Sequence, residues 1–151
     1  MTKSKMQIIL FDTYIFRIKK AVGSKMFQNL FMQTDGKKAD ILKNGNLSCA
    51  MFASSILYLC KLISGPHAMV PSTLEDMKQN GWFEIKKPKL GAVLIWEPQK
   101  SKDGMHTHIG FYIGNNKAIS NDFKKKSPQI HHYTMNNTRK LTGIYWNKKL
   151  N

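Results

Sequence analysis

A chain of 151 residues, 42% apolar and 11% aromatic, is long enough to bury a core as one domain and excludes a disordered polypeptide. Its formal net charge of +15 comes from 22 Lys and 2 Arg against 9 acids. Such a field attracts polyanions, an anionic wall polymer among them, while the shortage of Arg forks makes sequence-specific nucleic acid an unexpected partner.

The N-terminal stretch has basic residues and then Ile8-Ile9-Leu10-Phe11, but Asp12 ends the apolar run and no cleavage site of small residues follows. No segment approaches the ~20 apolar residues of a membrane span. The expectation is a soluble monomer, cytoplasmic as synthesised, which something else must deliver if it works outside a cell.

From Gln7 to Gln33 apolar residues recur mostly at helical spacing, which predicts two short helices broken at Gly23-Ser24. Asp35-Gly36-Lys37-Lys38 reads as a turn, so residues 1–43 form an expected helical segment ahead of a core at 44–151, the whole chain being a single domain. A helix is predicted from Leu47 to Ile63, with Asn46 or Ser48 as N-cap and Ser64-Gly65-Pro66 as its stop. Another follows Ser72, with Glu75 completing a capping box and Gly81 ending it.

The period then changes to two. Phe83–Lys86, Ala92–Trp96, His106–Ile113, Lys117–Asn121, Gln129–Thr134 and Thr142–Trp146 read as strands, with a hairpin at Gly114-Asn115-Asn116. The predicted class is α+β, N-terminal helices packed on a C-terminal antiparallel sheet.

Cys49 stands just inside the start of an apolar helix, where unpaired backbone N–H groups and the helix dipole favour thiolate over thiol. Cys60 would lie about 16 Å further along the same helix, too far to form a disulfide, and is expected in the core. An active thiol needs a base, and His108 is the candidate. Strand alternation sends Ile109, Phe111 and Ile113 into the core and turns His106, His108, Gly110 and Tyr112 to the other face. Adjacent His131 and His132 point to opposite faces, so a zinc site is not expected, although either is a candidate to line a cleft. His67 is read as a surface residue. Trp96 and Tyr112 are candidates for a substrate groove, though packing is the default for both, and Trp82 and Trp146 are expected in core or rim.

The segments Ser48-Cys49-Ala50-Met51-Phe52-Ala53, Pro88-Lys89-Leu90-Gly91-Ala92-Val93-Leu94-Ile95-Trp96 and His108-Ile109-Gly110-Phe111-Tyr112-Ile113-Gly114-Asn115-Asn116 resemble, in this order, the NlpC-type and CHAP-type papain-like amidases and peptidases. The resemblance implies a papain-like fold, Cys49 as nucleophile, His108 as base, no cofactor or metal, and hydrolysis of an amide bond through a thioester. The substrate it implies is bacterial peptidoglycan or another peptide or isopeptide. Ser48 and Ala92 stand where these families usually carry Asp. That departure motivates an alternative, a catalytically degenerate papain-like module that holds anionic polymer or nucleic acid. The third position, which orients the histidine, falls on Ser120 or Asn121. A three-residue hairpin loop puts Ser120 on the face of His108, and a two-residue turn puts Asn121 there.

Overall fold

The structure, a computed structural model, describes residues 2–151. Its helices are α1 (Leu10–Lys20), α2 (Cys49–Leu59) and α3 (Val70–Gln79). A hairpin of β1 (Phe31–Thr34) and β2 (Lys37–Asp40) lies between α1 and α2. After α3 come β3 (Trp82–Glu84), β4 (Val93–Ser101), β5 (Gly104–Gly114), β6 (Lys117–Asp122), β7 (Ser127–His132) and β8 (Leu141–Asn147). These six strands form one antiparallel sheet in the order β3-β8-β4-β5-β6-β7. The class is therefore α+β, and among the described residues no helix is long and apolar enough to cross a membrane.

Residues 1–43 depart from the expected helical segment, because only α1 forms there. Asp35 and Gly36 take φ of 51° and 75°, the mirror-image turn that closes a two-residue hairpin, and Lys37 and Lys38 belong to β2 rather than to a turn. Turn chemistry thus overrides the helical spacing of Phe27, Leu30 and Phe31.

Helix α2 is shorter than the span Leu47 to Ile63. Lys61 (φ 56°) takes the left-handed position after it, and Leu62 N–H donates to Leu57 O and Lys61 N–H to Tyr58 O, both at 2.9 Å. Arg17 Nη1 closes the end by donating to Leu59 O at 2.7 Å. Helix α3 begins ahead of the expected cap: Met69 is its N-cap and Pro71 sits in its first turn, which leaves Ser72 inside the helix and without a capping role. His67 is half-buried rather than a simple surface residue, since its Nε2 lies 2.6 Å from Asp76 Oδ2. Asp76 also accepts from Ser64 N–H (2.9 Å) and Gly65 N–H (3.1 Å). Burial pushes this carboxyl up, but the bonds from His67, Ser64 and Gly65 outweigh it and hold Asp76 below its ordinary range. One carboxylate thereby ties the connection after α2 to α3.

The core lies between α2 and the sheet. Phe52 of α2 packs edge-on to Phe111 of β5 (centroids 5.5 Å, 88°), and Tyr14 of α1 packs on the same ring (5.9 Å, 84°). Each such pair adds about 0.5–1.5 kcal/mol beyond the area it buries. Tyr14 Oη donates to Gly91 O at 2.8 Å, which fastens α1 to the start of β4. Cys60, Trp82, Trp96 and Trp146 are all buried in this core.

Candidate active site

Everything that shapes the site converges on the open end of α2. Ser48 occupies the N-cap position but makes no capping bond, and its Oγ is buried without a partner. The first helical bond runs from Phe52 N–H to Ser48 O (2.9 Å), so the N–H groups of Cys49, Ala50 and Met51 precede the ladder and face no capping side chain. The approach to this end is set by Gly45 (φ +92°), where a Cβ would lie 2.6 Å from Lys126 Cβ. Gln28 O accepts the Gly45 N–H (2.8 Å), and Asn121 Nδ2 donates to Gly45 O (2.9 Å). Only glycine fits between these neighbours.

Strand β5 runs its main chain past the cysteine. The Cys49 thiol donates to Thr107 O at 3.9 Å, and standard bond lengths added end to end then put Sγ within about 8 Å of the His108 Cα. Both residues line a groove of about 1200 Å³ that also takes in His106, Ser120, His131 and Arg139.

Of the two candidates for the third position, Ser120 is the one that contacts His108. Asn115 (φ 51°) and Asn116 (φ 59°) make a two-residue turn, yet a bulge at Ile113 shifts the register so that Gly110 pairs with Ser120 and Phe111 with Ile119. Neither simple loop length anticipates this register. Ser120 Oγ lies 2.8 Å from His108 Nε2, whereas Asn121 is on the opposite face, bonded to Gly45 and with its Oδ1 unpartnered. Asn121 therefore does not reach the histidine, and its work is to hold the loop before Cys49. Ser120 Oγ also lies 2.7 Å from His131 Nε2, and His131 Nδ1 lies 2.8 Å from His132 O. Buried Trp96 supports both imidazoles, its ring centroid 5.4 Å from that of His108 and 5.6 Å from that of His131.

Arg139, which sequence reasoning passed over, reaches the same site from the loop before β8. Its Nε donates to Glu97 O (2.8 Å) and its Nη2 donates to His106 O. Its signal in the sequence is rarity, one of 2 arginines among 22 lysines. Its charge bears on both Cys49 and His108. Burial pushes the Cys49 thiol above its ordinary value, against the pull of the Ile109 and Ala50 N–H groups and of Arg139. Burial also drives His108 from 6.5 down to about 3, with Arg139 and then His131 adding to the fall. The expectation of a resting thiolate is thus corrected: desolvation outweighs the helix start, and the pair rests as neutral thiol and neutral imidazole.

Comparison of the chain with protein-family models and with curated proteins finds no match.

Proposed function

We propose that the protein is a papain-like cysteine hydrolase of the NlpC and CHAP kind that cleaves an amide bond, with peptidoglycan peptide as its substrate. One observation carries this reading: a thiol at the uncapped start of α2 lies against the carbonyl that precedes His108, whose Nε2 is engaged by Ser120. The neutral resting pair implies that proton transfer accompanies attack. Cys49 Sγ bonds to the carbonyl carbon as its proton passes to the His108 nitrogen that Ser120 leaves free. The N–H groups at the start of α2 receive the oxyanion. The ring then protonates the leaving amine as the C–N bond breaks, and water, deprotonated by the same ring, releases the acid from the thioester and restores the thiol. Lys100, Lys102, Lys125 and Arg139 around the groove favour an acidic substrate such as wall peptide or its anionic polymer.

Mass spectrometry of muropeptides after incubation of sacculi with wild-type and Cys49→Ala protein tests the proposal. New amine and carboxyl ends are expected with the wild type alone, and equal cleavage by the variant rejects Cys49 as nucleophile. The raised thiol and the departures at Ser48 and Ala92 favour a second reading, a binding module on the same scaffold. That reading predicts salt-sensitive retention on sacculi with no cleavage by either protein.

A further inference from the structure

We propose that His131 is a positioning residue which, acting through Ser120, holds His108 in the tautomer whose Nδ1 is free of hydrogen and open to the Cys49 proton. The inference rests on the reading of His108 as base. It begins at a main-chain carbonyl, because His132 O can only accept and lies 2.8 Å from His131 Nδ1. His131 Nδ1 therefore carries a hydrogen. In a neutral imidazole the other nitrogen is then a bare acceptor. Ser120 Oγ, 2.7 Å from that Nε2, must donate to it.

A hydroxyl has one hydrogen, so Ser120 meets His108 Nε2 at 2.8 Å as an acceptor. His108 Nε2 thus holds the hydrogen, and Nδ1 is left as a lone pair. Each bond dictates the next, from the carbonyl to the base. The two rings are assigned opposite tautomers, His131 as Nδ1–H and His108 as Nε2–H.

The device requires neutral His131. Burial lowers its affinity for a proton, the bond to His132 O and the charge of Asp122 raise it, and His132 lowers it again, with a net fall. His108 from β5 and Asp122 from β6 face it, His132 adjoins it in β7, and Arg139 bears on the histidine at the other end of the relay. Protonation of His131 would make Nε2 a donor to Ser120. The hydroxyl would then be free to donate to His108 Nε2, which moves the ring hydrogen to Nδ1 and removes the base.

Long-range proton–nitrogen correlation spectra of protein labelled with 15N-histidine read both tautomers directly. The wild type should show His131 as Nδ1–H and His108 as Nε2–H at neutral pH. In His131→Ala, with Ser120 free to donate, His108 should shift toward Nδ1–H, and alkylation of Cys49 by iodoacetamide should fall about tenfold. His131→Gln, whose amide oxygen can accept from Ser120, should restore most of both. A wild-type spectrum with His108 as Nδ1–H overturns the proposal whether or not a variant folds. So does an unchanged His108 spectrum in a folded His131→Ala protein. Failure of the wild type to cleave sacculi would count against the hydrolase alone, since the tautomer spectrum does not depend on turnover.

Discussion

Replacing Gly110 with alanine tests how the sheet positions the candidate site. Gly110 of β5 pairs with Ser120 of β6, and a Cβ there would lie 2.6 Å from Ile119 O, 2.7 Å from Ser120 Cβ and 3.2 Å from a Trp96 ring carbon. Carbon atoms pack at about 3.5–4.0 Å, so β6 would have to withdraw by roughly 0.8 Å at Ser120. Strand β7 pairs with the outer edge of β6 and Trp96 is wholly buried, so neither neighbour yields freely. Overpacking of this kind costs about 1–3 kcal/mol. At about 2–4 °C per kcal/mol for a chain of this size, the melting temperature should drop by roughly 2–12 °C. A withdrawal of that size along the bond would also stretch the 2.8 Å contact between Ser120 and His108 to about 3.6 Å, beyond hydrogen-bonding range. The proposed cleavage should therefore fall even at temperatures where the variant is folded. Thermal melts followed by circular dichroism, paired with sacculus cleavage, supply both readings. Gly65→Ala is the control, because Gly65 has open space around its Cβ position and no positive φ. Its melting temperature should stay level or rise slightly. A Gly110→Ala protein that melts with the wild type and keeps its activity would refute the account of the β5–β6 register.

Three further outcomes are expected. His108 has a folded pKa of about 3 against an unfolded value near 6.5, so the unfolded chain binds a proton that the native state refuses, and stability falls as pH drops through that window. Allowing for the partial exposure of the ring, urea titrations should lose about 2 kcal/mol between pH 7 and pH 4.5, and a flat profile would contradict the burial of this imidazole. The raised Cys49 thiol predicts an alkylation midpoint above that of an ordinary thiol, moved higher still in Arg139→Ala; a midpoint below the ordinary value would show a stabilised resting thiolate. Asp76→Asn should cost about 2–3 kcal/mol, because the buried carboxylate accepts from Ser64 N–H, Gly65 N–H and His67, and urea midpoints unchanged from wild type would deny it that role.

The elements of the second half were legible because a half-buried strand writes its period directly into the chain. His108 and Gly110 facing away from Ile109 and Phe111 followed from alternation alone. Turn and cap signals were weaker guides. Ser72 and Glu75 match a capping box, but Pro71 fits the first turn and the helix starts earlier. The Gly36 turn made a hairpin where apolar spacing promised a helix. In both places two local codes competed, and only the folded context chose between them.

Residue order alone determined that a cysteine stands at a helix start and that a histidine lies within a core strand, since both depend on interactions within a few positions of chain. Tertiary structure decided what those groups became. The bulge at Ile113 selected Ser120 over Asn121, because burying Phe111 opposite Ile119 outweighs the register that the turn by itself would set. Arg139 and His131 joined the site across long stretches of sequence, and burial left Cys49 and His108 neutral. Desolvation depends on what the rest of the chain places around a group, and no local pattern carries that information.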